Sequence, residues 1–230
     1  MNAFRQPVRE TGREYALRVL TDRIVRLALA PGSMVSENEL AQEMGLSRTP
    51  VREALIELSR IHMVTVYPQK GCTIALIDYA LVEEARYIRH MLEMSVVELV
   101  CRMAKPDDLN LLIRNVRLQA IYLESKELDK VMQLDNEFHK CLFDIARKPM
   151  AYHLMQTVQI HFDRVRMMSL EVVKDTKIVT DHQAILEAIV QRDAEAAQML
   201  MDKHLSRYQI DEQALRSRYP DYFVPPAARE

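Results

Sequence analysis

Apolar residues recur every three or four positions along most of this 230-residue chain, and that spacing predicts a mainly helical protein. From Glu14 to Leu29, Leu17, Leu20, Ile24 and Leu27 share one face, and Pro31-Gly32 stops the run. Ser36 with Glu39 predicts a capping box, and Gly45 the left-handed end of the helix that follows; Leu40, Ala41 and Met44 form its apolar side. Thr49 as N-cap and Pro50 as first helical residue predict a third helix, buried through Val51, Ala54, Leu55 and Leu58. The period then drops to two. Val64 to Tyr67, the turn Pro68 to Gly71, and Cys72 to Leu76 predict a hairpin.

From Tyr79 onward the pattern is helical again. Leu81, Ala85, Ile88, Leu92 and Val96 align on a helix running to about Ala104, and Pro106 opens a second that reaches about Glu124. Ser125 caps a third ending near Lys148-Pro149, and a fourth covers Met150 to Val172. Lys174 to Val179 reads as a loop, Thr180 with Gln183 as a capping box for a helix over Asp181 to Gln191, and Ala194 to Arg216 as the last helix. Six helices with short connections predict an antiparallel bundle. The fold class is therefore mainly α, an N-terminal winged helix-turn-helix followed by an all-α bundle. The domains are a flexible tail at 1–12, a first domain at 13–77, a second at 78–218 and a tail at 219–230.

Two short helices joined by a Gly-containing turn form a helix-turn-helix, whose second helix enters a DNA major groove, and the hairpin after it makes a wing. The stretch LAPGSMVSENELAQEMGLSRTPVREALIEL, with its core SRTPVREAL at Ser47 to Leu55, resembles the winged helix-turn-helix of the GntR family of bacterial transcription regulators. On that reading Arg48 and Arg52 contact guanine or phosphate, and Ser47 and Thr49 contact phosphate or base edges. Gln69, Lys70 and Gly71 at the wing tip reach the minor groove. Asn38 stands where some relatives carry a DNA-touching arginine, so its contact keeps hydrogen bonding without charge.

Charge and cysteine usage agree with this division of labour. Residues 1–77 carry ten Lys and Arg against eight Asp and Glu, and the remainder carries 21 against 25. Cys72, Cys101 and Cys141 lack paired spacing, which suits reduced thiols in the cytoplasm. No apolar run reaches membrane-spanning length, and the N-terminus reads as neither signal peptide nor anchor.

Polar residues inside the apolar stripes carry the chemistry. Asp135 and His139 lie at i and i+4 on one face of the third bundle helix, amid Leu128, Val131, Met132, Phe138, Leu142 and Ile145. His182 aligns with Ile185, Leu186 and Ile189, and His204 with Ala197, Leu200, Met201 and Tyr208. Each alone fits a satisfied core histidine or a salt-bridged carboxylate. Together they aim a carboxylate and three imidazoles inward from three helices, and a divalent metal satisfies that set: Zn²⁺ first, with Ni²⁺, Mn²⁺ or Fe²⁺ as alternatives. The pattern resembles the FCD ligand-binding domain of the FadR-like GntR branch, whose four metal ligands map onto Asp135, His139, His182 and His204. Six rather than seven helices would place the chain nearer the VanR-like subgroup. Arg89 to Glu93 resembles the family's RxxLE segment, so Arg89 is a candidate to hold a carboxylate, with Arg164 and Arg166 as further candidates.

These readings imply a ligand-responsive transcriptional regulator and not an enzyme. It is expected to repress as a homodimer on a palindromic double-stranded operator and to sense a small carboxylate effector at the metal. Alternatives are a regulator for which the ion is the signal and, further off, a helical-bundle metallo-enzyme. Against the latter, the chain has no HExxH, no second glutamate set for a di-iron site and no evident general base.

Overall fold

Helix α1 (Gly12–Val25) starts from a reciprocal cap in which the Thr11 hydroxyl accepts from the Glu14 amide and the Glu14 carboxylate accepts from the Thr11 amide. The computed structural model describes residues 10–67, 71–172, 177–206 and 212–225. Gln69 and Lys70 lie outside the described residues, as does nearly all of the expected N-terminal tail. Ala16, Leu20 and Ile24 give α1 its buried face. The helix ends four residues before the expected Leu29, because Leu27 adopts a φ of 58° and breaks the helical path.

Helices α2 (Glu37–Met44) and α3 (Arg48–Arg60) pack through Leu40 and Ala41 against Val51, Ala54, Leu55 and Leu58. Gly45 joins them at a φ of 65°, which residues with a Cβ adopt at a cost. Two details differ from the expectation. Ser36 is the N-cap of α2, but its hydroxyl makes no cap bond, so no capping box forms with Glu39. Helix α3 starts at Arg48 with Ser47 as N-cap, which moves Pro50 to the third helical position. Proline fits there too, since first-turn N–H groups have no intrahelical acceptor. Arg13 of α1 pairs with Glu57 of α3.

Strands β1 (Met34–Val35), β2 (Val64–Tyr67) and β3 (Gly71–Ile74) form an antiparallel sheet in the order β1-β3-β2, with Val64 opposite Ile74 and Tyr67 opposite Gly71. The expected hairpin is present, and β1 adds a third strand too short to display alternation. Gly71 has a φ of 101°, and a Cβ there would stand 3.3 Å from the Val35 carbonyl oxygen, so the sheet requires glycine at this point. The expected 219–230 tail is partly structured. After a 3-10 turn at Pro220–Tyr222, the Ile77 amide donates to the Tyr222 carbonyl at 2.8 Å and the Val224 amide to the Ile77 carbonyl at 2.9 Å. Phe223 is buried there. The chain thus divides at Ile77, with residues from Asp221 joining the first unit.

The second unit is all helix. It comprises α4 (Tyr79–Met103), α5 (Pro106–Glu124), α6 (Leu128–Ile145), α7 (Pro149–Val172), α8 (Lys177–Val190), α9 (Ala194–Ser206) and the short α10 (Glu212–Arg218). Helix α4 packs on α7 and α9, α5 on α6, and α8 on α9, around Val97, Val100, Leu112, Phe138, Leu142, Phe143, Ile185 and Met201. Helix α8 begins at Lys177, so Thr180 sits inside it and caps nothing. The expected sixth helix, Ala194 to Arg216, is described as α9 up to Ser206 and α10 from Glu212, with 207–211 outside the described residues, so the described part of this unit holds seven helical segments where six helices were expected. No described helix is long and apolar enough to cross a membrane.

Candidate metal centre and nucleic-acid interface

Helix α6 brings Asp135 and His139 to one buried face, α8 supplies His182 and α9 supplies His204. One ligating atom from each of the four lies within 4.8 Å of the others. The three Nε2 atoms converge: His182 to His204 at 3.2 Å and His204 to His139 at 3.3 Å. Asp135 Oδ1 stands 3.5 Å from His182 Nε2 and 3.9 Å from His139 Nε2, and it has no hydrogen-bond partner.

Acceptors from three other places fix the imidazoles from behind. Glu93 Oε2, on α4, accepts from His139 Nδ1. Gln119 Oε1, on α5, accepts from His182 Nδ1 at 2.8 Å, while its amide nitrogen donates to Asn115 Oδ1 at 2.6 Å, which settles the orientation of the amide. Asp181 Oδ2 lies 3.4 Å from His204 Nδ1. A carboxylate or an amide oxygen only accepts, so each Nδ1 carries the proton and each Nε2 presents a lone pair to the centre. Phe138 stacks on the His182 ring, with centroids 4.2 Å apart.

Burial keeps the His139 and His182 imidazoles neutral. It takes His139 down to about 4 in spite of the opposing pull of Glu93, and takes His182 well below the usual histidine range. Burial alone would raise the carboxylates, but the guanidinium groups and the ring N–H donors around them outweigh it. Arg89 and His139 bring Glu93 to about 2, and Arg166 with the imidazoles holds Asp135 far below the ordinary aspartate range. Converging lone pairs with no proton between them repel, and the orphaned Asp135 oxygen is costly in a dry core. A divalent cation among the four atoms relieves both, so this donor set, one carboxylate and three imidazoles, fits a metal.

The three candidate anion-holding arginines are buried, on α4 and α7. Arg89 Nε donates to Glu93 Oε1 at 2.7 Å, and its Nη2 is buried without a hydrogen-bond partner. Arg166 bonds Asp135 Oδ2, and its Nη1 lies 3.0 Å from both Asn136 Oδ1 and Asp163 Oδ1. Burial pushes the Arg164 guanidinium down to about 10. The Phe162 ring carries Arg89 and Arg166 at 5.5 and 5.6 Å from its centroid. Sequence reasoning singled out the four residues that cluster here and Arg89, but missed the contacts of Glu93 and Gln119 with the histidines. The available signal was a polar residue in a buried stripe: Glu93 one turn after Arg89, and Gln119 in register with Leu112 and Val116.

In the first unit, Ser47, Arg48, Thr49, Arg52 and Asn38 are exposed. A groove of about 630 Å³ brings Asn38, Arg48, Arg52, Tyr67 and Gly71 together between α2, α3 and the sheet. Arg48 has a loose partner in Glu37, at 3.4 Å. The remaining histidines are elsewhere: His62 and His153 are exposed, His90 pairs with Asp202 at 2.7 Å, and His161 is buried on α7.

Residues 14–74 match the family model of bacterial regulatory proteins of the gntR family, and residues 84–207 match the FCD domain. The chain is 31% identical over 207 residues to the HTH-type transcriptional repressor RspR of Escherichia coli, covering 90% of this chain and 91% of that one. It is 32% identical over 213 residues to an HTH-type transcriptional regulator in an unstable DNA locus of Streptomyces ambofaciens, covering 91% and 88%. Among solved structures, E. coli McbR/YncC shares the fold with a TM-score of 0.78 at 20% identity, covering 91% of this chain and 99% of that one.

Proposed function

This chain belongs to the GntR family of bacterial regulatory proteins, carries an FCD domain and is a transcriptional regulator rather than an enzyme; on that premise we propose that it represses as a homodimer on a palindromic operator. In this reading the second unit binds a small carboxylate effector at a divalent transition metal, zinc ahead of nickel, manganese or iron, and the protein acts in the cytoplasm. One winged domain covers too little DNA for tight specific binding, which favours two copies on two half-sites.

At the operator, Arg48 and Arg52 would contact guanine or phosphate, Ser47 and Thr49 phosphate or base edges, and Asn38 an uncharged partner. The wing residues Gln69, Lys70 and Gly71 would approach the minor groove.

The observation that carries the effector reading is the convergence of His139, His182 and His204 Nε2 with the orphaned Asp135 Oδ1, next to an unpartnered guanidinium nitrogen. Asp135, His139, His182 and His204 would hold the ion, which when bound supplies positive charge and open coordination positions for an anion. Of the three arginines, Arg89 offers the buried donor that a carboxylate would satisfy. Arg166 already serves Asp135, Asn136 and Asp163, which suits a role in aiming Asp135 as well as in adding positive charge to the site. Arg164 contributes a further buried charge on α7. An effector regulates only if it prefers one arrangement of the two recognition helices.

Operator titrations of metal-replete and chelated protein, with and without a panel of small carboxylic acids, test this reading. The expected result is an acid-dependent change in operator affinity that chelation abolishes. No response to any acid by metal-replete protein would overturn the effector assignment.

A further inference from the structure

We infer that Glu93 is a positioning residue of the metal centre: it selects the His139 tautomer whose Nε2 is free to ligate, and Arg89 holds it in place. The inference rests on the metal reading above and extends it to a residue that touches no ion.

Glu93 is fully buried on α4, and both of its oxygens are spent on donors. Oε1 accepts from Arg89 Nε at 2.7 Å, and Oε2 accepts from His139 Nδ1. An ionised carboxylate has two accepting oxygens and no donor, so it matches this pair of N–H groups and rejects the other tautomer. In that other tautomer the His139 proton would sit on Nε2, pointing at His204 Nε2 only 3.3 Å away and filling the space the ligand lone pair needs. The same device recurs with different chemistry at His182, where Gln119 accepts from Nδ1. His204 has the longer contact, 3.4 Å to Asp181. Glu93 therefore supplies a fully buried, charged acceptor, and an anionic acceptor on Nδ1 also makes the opposite nitrogen a better donor to a metal.

Glutamine is the discriminating substitution because it keeps shape and loses one acceptor. In Glu93→Gln the amide nitrogen faces either Arg89, donor against donor, or His139 Nδ1, which drives the imidazole proton onto Nε2. Metal-free wild-type protein with isotope-labelled histidine should show His139 protonated at Nδ1 in long-range proton–nitrogen spectra, and Glu93→Gln should move that proton to Nε2. Zn²⁺ affinity, read by competition with a chromophoric chelator, should fall about 10–100-fold. The single variant leaves the Arg89 charge uncompensated, so the double variant Arg89→Gln/Glu93→Gln keeps charge balance while still lacking the carboxylate. It should show the same tautomer change and weakened Zn²⁺ binding. If His139 keeps its Nδ1 proton and Zn²⁺ affinity is unchanged in both variants, the role of Glu93 is overturned and the metal reading stands. If wild-type protein itself fails to bind Zn²⁺, the metal reading falls and takes this inference with it.

Discussion

Arg166, on α7, bonds Oδ2 of Asp135, on α6, and leaves Oδ1 facing the imidazoles of His139 and His182. Both side chains are about 1% exposed, so the pair has no water to fall back on. Removing one member of such a buried pair costs about 3–5 kcal/mol. In Arg166→Met that loss should be large in chelator and smaller in excess Zn²⁺, because the ion takes over compensation of the carboxylate. Thermal unfolding under the two conditions measures it, and an equal loss in both would argue against an ion at Asp135.

Metal removal should destabilise the wild-type protein. Free Zn²⁺ at a hundred times its dissociation constant stabilises a folded chain by about 2.7 kcal/mol through mass action. His204→Ala removes one of the converging Nε2 atoms and should lose most of that Zn²⁺-dependent gain while still unfolding cooperatively in chelator. Urea unfolding with and without Zn²⁺ is the check. A variant that gains as much from Zn²⁺ as the wild type would place the ion elsewhere.

Acid should destabilise the metal-free protein in two stages. Above the ordinary histidine value of 6.5 both folded and unfolded chains hold His139 neutral, and stability is flat with respect to it. As pH falls from 6.5 to about 4 the unfolded chain binds protons that the folded chain excludes, so stability drops. His139 alone accounts for roughly 3 kcal/mol at the lower end, and His182 pulls in the same direction. Below the ordinary glutamate value of 4.5, Glu93, held at about 2, adds a second loss. Urea midpoints measured across this range should fall with pH; a flat profile between pH 7 and 4.5 would contradict neutral buried imidazoles.

Arg52 is exposed on the turn of α3 that borders the groove. Arg52→Ala should weaken operator binding by about 1–3 kcal/mol if the contact is bidentate to a base. A phosphate contact would instead reduce the salt slope by about one. Fluorescence anisotropy at several salt concentrations separates the two, and unchanged affinity with unchanged slope would remove Arg52 from the interface.

Phe223 is buried beside Ile77, and its neighbours bond the Ile77 amide and carbonyl. Phe223→Ala should cost about 3–5 kcal/mol of local stability, exposing the segment around Ile77 to proteolysis before the helices of the second unit. Limited chymotrypsin digestion with mass analysis, which can cut at Leu76 and Tyr79, reports it. Protection equal to wild type would mean that the pairing contributes little.

Several features were readable from local order alone. Spacing at three and four residues placed α2 to α5 and α7 closely, since burial of an amphipathic face repeats with the helix itself. Ser125, expected to cap α6, instead ends α5, and Glu127 is the N-cap of α6. The i and i+4 relation of Asp135 and His139 was fixed the same way. Local signals misled where a long-range contact outweighed them. Thr180 has the composition of an N-cap yet lies inside α8, whose Ile178 and Val179 are buried in the core. Tyr222 to Val224 reads as part of a tail but pairs with the backbone of Ile77.

By itself, then, the order of residues determined which side chains would face a helix interior, because that depends only on a period of 3.6. It also determined the turn-and-wing arrangement, through Gly45, Gly71 and the alternation of Val64 to Tyr67. Only tertiary structure decided which buried groups meet: the Glu93 and His139 pair, the Gln119 and His182 pair, and the orphaned oxygen of Asp135. Those contacts join residues far apart in the chain, and each donor finds its acceptor only after α4, α5, α6, α8 and α9 have packed.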